Sequence, residues 1–333
     1  MSRNHRPYAV LAAVLFGAVL SGLAGSAQAR AAGAAEAPKT APAQVKTQAP
    51  GYYRMMLGDF EITALNDGGF KGDMTKLMSK PELARKILAR DHESLPMWTS
   101  VNAFLINTGK RLILVDTGTG DRSKGATTGR LLSNLKAAGY RPGQVDAVLL
   151  THMHGDHDGG LTAGGHRVFS NATVYVNKRE LDYWLNPTGA KYTAEQRKKI
   201  SKQQHARMDP YIKAGRVKTF DGAAQLFPGI RSVPAYGHTP GHTAYMVESR
   251  GERLLLWGDI VHCAEVQFSH PQVTIQYDSD PAQAEKTRLK LMAQAAKEGF
   301  LVGGAHISFP GLGHIRAGKE GYRWIPAPYR AVP

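Results

Sequence analysis

Six consecutive residues constrain this chain more than anything else in it. His152-Met153-His154-Gly155-Asp156-His157 follows, after Thr151, the run Val145-Asp146-Ala147-Val148-Leu149-Leu150, an apolar stretch of strand length. Imidazole and carboxylate are the ligands that zinc-type ions take. Four of them packed at a strand end cannot all face one ion in one geometry, so two neighbouring ions are expected. The remaining ligands must then arrive from other strand ends. Candidates stand in the right contexts: Gly237-His238-Thr239-Pro240-Gly241-His242 between two strand-like stretches, Gly258-Asp259 after Leu254-Leu255-Leu256-Trp257, and Gly304-Ala305-His306 after Phe300-Leu301-Val302.

Residues 1–29 stand apart from any fold. Arg3, His5 and Arg6 give a basic start, 10–20 is an apolar run broken only by Gly17, and Ala27-Gln28-Ala29 supplies a cleavage site, the pattern of a secretory signal peptide. Ser21, Gly22 and Gly25 interrupt the run short of the ~20 apolar residues a membrane span needs. The expected location is periplasmic or secreted, without membrane anchorage. Residues 30–50, rich in Ala, Pro, Lys, Thr and Gln, read as a flexible lead-in, and 51–333 as one domain without internal repeats.

Within that domain strand-like and helix-like patterns alternate, which makes the class α/β. Strands are expected at 52–57, 60–65, 101–106, 111–115, 145–150, 173–176, 230–233, 245–248, 253–257 and 300–302. Helices are expected at 128–138, 178–185, 194–213 and 281–297, the last opened by Asp280-Pro281.

The charge balance is basic, formally +15, or +13 once Arg3 and Arg6 leave with the leader. The basic residues are scattered, and the densest group (Arg179, Lys198, Lys199, Arg207) lacks interleaved aromatics for base stacking, so specific nucleic-acid binding is not expected. The single cysteine, Cys263, excludes an internal disulfide framework and a cysteine-rich zinc module. It adjoins His262, but neighbours on a strand point to opposite faces, so the two are not expected to act as nucleophile and base.

Asp116 within Leu114-Val115-Asp116-Thr117-Gly118, the 152–157 run, His242, Asp259 and His306 resemble, in this order, the five motifs of the metallo-β-lactamase superfamily. The resemblance covers nearly all of 51–333 and implies a four-layer αββα sandwich with metals at the sheet edges. It implies that His152, His154 and His242 hold one ion, that Asp156, His157 and His306 hold the other, and that Asp259 bridges them. Asp116, His238 and His314 would support the ligands from behind. A shared carboxylate separates the chain from the β-lactamases proper, and His154 in place of a glutamate separates it from the flavodiiron branch.

Segments 49–65, 135–140, 266–268 and 306–316 are similar to the methyl parathion hydrolases, secreted members that cleave phosphotriesters. That resemblance implies a homodimer and places Trp184, Ile275 and Tyr277 with His262 around a small-molecule substrate. Those hydrolases line the leaving-group pocket with three aromatic rings. Here Trp184 matches one, while 120–127 and Ile200-Ser201 carry none. His262 stands three residues after Asp259, where phosphotriesterases have an aliphatic residue and acyl-homoserine lactonases a tyrosine that hydrogen-bonds the reacting ester. A polar donor there favours a carbonyl substrate.

Apart from the resemblance, two divalent ions, zinc by the donor set, would share a water and lower its pKa toward neutrality, making hydroxide available. Asp156 and Asp259 as ligands, and His262 as donor to a leaving alkoxide, are the expected catalytic residues. The function expected is a secreted hydrolase of lactones, aryl esters or organophosphate triesters. A glyoxalase II-like thioesterase would share the seven ligands, but 321–326 is not the basic helical ending that family uses for glutathione. A non-catalytic metal- or nucleic-acid-binding module would not need seven ligands.

Overall fold

The computed structural model describes residues 41–120, 127–187 and 192–330. The leader expected at 1–29, the start of the lead-in and most of the loop 120–127 lie outside the described residues. The chain divides into two units, Met1–Thr47 and Gln48–Pro333, and every described strand and helix belongs to the second.

Successive strand residues face opposite ways, and in the central strands both faces are apolar. In Leu112–Val115, Leu112 and Leu114 join a cluster with Leu131 and Leu135, while Ile113 and Val115 join another with Leu254 and Leu256. In Glu252–Leu256, Leu254 and Leu256 face Ile113's cluster, and Leu255 packs with Leu291 and Met292. Strands apolar on both faces must be covered on both. The outcome is the expected sandwich of helices, sheet, sheet and helices.

The first sheet runs in the order Tyr52–Leu57, Phe60–Gly72, Met97–Asn107, Leu112–Val115, Ala147–Leu149, Thr173–Asn177, Val217–Phe220. The second runs Gln225–Phe227, Ile230–Pro234, Thr243–Ser249, Glu252–Leu256, Leu301–Gly303, Leu312–Ala317, Tyr322–Pro326. Pairing is parallel from Leu112–Val115 through Val217–Phe220, and again between Glu252–Leu256 and Leu301–Gly303. Parallel neighbours release the chain at the same edge, and the polar loops begin there. Helix α1 (Pro81–Arg90) packs in a satellite cluster with Met97, Val266 and Ile275. Helices α2 (Leu131–Ala137), α3 (Lys178–Leu185) and α4 (Ala194–Lys213) cover the first sheet; α5 (Ala264–Ser269) and α6 (Pro281–Glu298) cover the second.

The structure departs from the sequence expectation in several places. Helix α1 and the hairpin of Leu312–Ala317 with Tyr322–Pro326 were not expected. His262 and Cys263 are not on a strand; Cys263 is the N-cap of α5, and its Sγ lies among Met97 and Glu265. Phe60–Gly72 runs on past Leu65, where the strand was expected to end, because a bulge between Asn66 and Gly68 absorbs Asp67-Gly68-Gly69. The bulge buries Asp67 completely. Its carboxylate accepts from the Thr119 N–H (2.9 Å), the Thr119 hydroxyl (2.7 Å), the Gly129 N–H (3.1 Å) and the Leu131 N–H (2.9 Å). These bonds occupy 129–131, so α2 begins at Leu131 and not at 128.

A buried donor left without a partner costs about 1–3 kcal/mol. Asp67→Ala strands several donors at once, and urea denaturation is expected to show a loss of about 3 kcal/mol or more. A loss under about 1 kcal/mol would mean the 119–131 segment is held by something else.

Candidate metal centre

The loops at the shared edge converge on one carboxylate. Asp259, buried after Glu252–Leu256, has its Oδ2 3.2 Å from His238 Nε2, 3.2 Å from His262 Nε2, 3.2 Å from His306 Nε2 and 3.5 Å from His152 Nε2. Its Oδ1 lies 3.1 Å from His157 Nε2. His154 Nδ1 is 3.0 Å from His152 Nε2 and 3.1 Å from His238 Nε2. Asp156 Oδ2 lies 3.5 Å from His306 Nε2 and 3.8 Å from His157 Nε2. Burial alone would raise the Asp259 pKa, but the imidazoles of His157, His306 and His152 outweigh it and hold the carboxyl well below the usual range.

The far nitrogen of most of these rings is fixed from behind. His157 Nδ1 meets Asp116 Oδ2 at 2.8 Å, His238 Nδ1 meets Asp278 Oδ1 at 2.9 Å, and His306 Nδ1 meets the Ser100 carbonyl at 2.9 Å. Asp116 also accepts from the Thr151 N–H and hydroxyl, each at 2.8 Å, so it holds the first residue of the motif loop as well. An acceptor on one ring nitrogen leaves the other to face the centre.

One expectation is corrected. His238, taken as a supporting residue, sits inside the cluster, and His242, taken as a ligand, does not. His242 Nδ1 lies 3.1 Å from the Ala235 carbonyl, and its Nε2 accepts the Asp259 N–H at 3.1 Å, so neither nitrogen remains for an ion. Burial lowers its pKa to about 3, the neutral form an acceptor requires. Gly258 makes the contact possible: at φ +57°, a Cβ there would lie 2.7 Å from His242 Nε2. Gly237-His238-Thr239-Pro240-Gly241-His242 offers two histidines of equal appearance, and only the turn decides between them.

A cavity of about 660 Å³ opens onto the cluster, lined by His154, Asp156, Asp259, His262 and His306 and walled by Phe70, Thr119, Thr127, Thr128 and Tyr277. Tyr277 and His262 both line this cavity, their rings 5.9 Å apart. Three other assignments change. Trp184 is buried behind His154, edge-on at 5.2 Å, because its indole N–H is drawn to Glu180. Ile275 belongs to the apolar cluster of α1. His314 is exposed on Leu312–Ala317, opposite Ile325. Phe70 and the three threonines carry no sequence signal, since their placement follows from the bulge at Asp67.

The donors fit divalent ions. Ligands about 2.0–2.1 Å from a common tetrahedral ion stand about 3.3–3.4 Å apart. The nitrogens and oxygens here are spaced at 3.0–3.8 Å. His157 Nε2, Asp259 Oδ1 and both His262 nitrogens are buried without a hydrogen-bond partner, which protein contacts alone do not explain. Among the described residues, two sets of donors, His152–His154–His238–Asp259 and Asp156–His157–His306, each gather within 4.8 Å, and a third, Asp259–His262–His306, shares one residue with each of them.

The family model of the metallo-beta-lactamase superfamily matches residues 96–306. The chain belongs to this superfamily. Among solved members, the hydrolase AbOPH of the beta lactamase superfamily matches with a TM-score of 0.80 and 39% identity, over 86% of this chain and 100% of that one. AidC, a dizinc quorum-quenching lactonase in complex with a product, matches with a TM-score of 0.76 and 26% identity, over 84% and 99%. An N-acyl homoserine lactonase of Bacillus cereus is 24% identical over 222 residues, 61% of this chain and 79% of its own length. As a superfamily member, this chain is a metal-dependent hydrolase.

The Asp116 contacts predict a measurable cost. Asp116→Asn cannot accept from Thr151 and His157 together, and metal affinity is expected to fall ~10–100-fold in chelator competition. Unchanged affinity would show that Asp116 does not set the ligand geometry.

Proposed function

We propose that this chain is an exported dinuclear hydrolase whose substrates are lactones and aryl esters. In this reading His152, His154 and His238 hold one ion, Asp156, His157 and His306 hold the other, and Asp259 is shared. Bound there, divalent ions would supply Lewis-acid chemistry, making a water-derived nucleophile available at neutral pH and polarising an acyl oxygen. Zinc suits the donor set.

The observation that carries the substrate class is the position of His262. Its ring lies on the cavity wall 3.2 Å from Asp259 Oδ2, stacked on His306 at 5.2 Å and next to Tyr277. An imidazole N–H there can donate to the oxygen on which charge develops, or to a departing alkoxide that leaves poorly without a proton. Phe70 and Tyr277 supply apolar surface for an acyl chain or aryl group. The lactonases among the similar proteins support the same class.

A phosphotriester gains mainly from rings around its aryl leaving group, worth about 0.5–1.5 kcal/mol per contact. A donor aimed at a developing oxyanion is worth about 2.7–4 kcal/mol. The donor is the larger effect, so lactones and aryl esters are expected to show higher kcat/KM than methyl parathion. His262→Leu should depress ester hydrolysis more than phosphotriester hydrolysis. Wild type preferring the phosphotriester, or a variant equally slow on both, would defeat this assignment.

Metal content tests the two-ion reading. Purified protein should carry about two ions per chain, and EDTA should abolish activity. Asp259→Ala removes the shared ligand and should lower both occupancy and rate. Full activity with one ion would overturn the dinuclear assignment, and full occupancy in the variant would mean that Asp259 is not the shared ligand.

A further inference from the structure

Glu180 lies outside the cavity and outside both donor sets, yet it touches the loops that carry one of them. It stands in the first turn of α3, whose N-cap Asn177 accepts from the Arg179 N–H. Its side chain is fully buried. Oε1 accepts from the Met153 N–H at 2.9 Å and the Trp184 indole N–H at 2.5 Å. Oε2 accepts from the Thr239 hydroxyl at 2.7 Å and the Gly241 N–H at 2.9 Å. Met153 separates His152 from His154, and Thr239 directly follows His238.

A buried carboxylate depends on its donors, because an ionised group stripped of partners costs several kcal/mol and each lost donor restores part of that cost. The cost of losing any bond therefore holds the motif loop and the His238 loop at a fixed separation. Trp184 extends the effect, since the indole that donates to Glu180 also packs edge-on against the His154 ring. Gly241 makes the approach possible: a Cβ there would lie 2.4 Å from Glu180 N and 2.7 Å from Glu180 Cβ. No comparable contact joins Glu180 to Asp156, His157 or His306.

We infer that Glu180 is a positioning residue for one ion of the pair, the one held by His152, His154 and His238, and that it leaves the other ion's ligands largely to themselves. The inference rests on the two-ion reading above. It separates from general structural support, because damage to the fold weakens both ions alike.

Glu180→Gln preserves shape but turns an amide NH2 toward two donors. Stepwise Zn2+ binding constants, read by competition with a chromophoric chelator, are expected to fall ~10–100-fold for one ion, with the other within about twofold of wild type. Thr239→Val removes a single donor and should give the same asymmetry at smaller size; it carries the test if the glutamine variant does not fold by circular dichroism. Equal weakening of both ions, or no weakening of either, overturns the inference while wild type still binds two. Wild type that binds fewer than two ions overturns the dinuclear reading itself.

Discussion

A carboxylate withdrawn from water must find compensating charge or lose its proton, and Asp259 meets that demand at the point where the two sheets end. Five imidazoles reach it at 3.1–3.5 Å. Two of them, His152 and His157, leave the first sheet, while His238, His262 and His306 come from loops of the second. The attraction pulls opposite halves of the sandwich together at one edge. His242 completes the arrangement by accepting Asp259's own N–H.

This convergence makes folding and ion binding two views of one equilibrium. Without ions, the cluster concentrates imidazoles around a single negative charge and leaves buried atoms without partners, a poor arrangement by protein contacts alone. An ion that satisfies those atoms stabilises the folded chain by its whole binding free energy relative to an unfolded chain that holds no preformed site. The supporting carboxylates share that logic. Asp116, Asp278 and Glu180 each hold ligand-bearing backbone or rings in place, and each is itself buried among donors.

Much of this was legible in the sequence, for physical reasons. Short continuous apolar strands ending in ligand residues located the 152–157 loop, Asp259 and His306, because strand burial and strand termination both leave marks in the pattern. Asp116 was legible only through the resemblance of Leu114-Val115-Asp116-Thr117-Gly118 to the first superfamily motif. The choice between His238 and His242 was not legible, since both occupy the same kind of Gly-rich turn and their ring directions depend on Gly258 and Glu180 far away in sequence. Phe70 was hidden by Asp67-Gly68-Gly69, whose composition signals a turn although the strand continues through a bulge. Trp184 looked like a pocket ring, but its polar edge found a buried carboxylate, and hydrogen bonding outweighed exposure to the cavity.

The bulge at Asp67 has a consequence for how a chain of this kind can diversify. A single side chain grips both ends of the segment that begins at Thr119 and resumes at Gly129, so the two anchors stay fixed whatever joins them. Lengthening such a connection costs only the slow logarithmic growth of closure entropy, about 0.6 kcal/mol for each doubling. Changes of length between the anchors therefore cost the fold little, and Thr127 and Thr128, which line the cavity beside the second anchor, stay tied to the sandwich beneath.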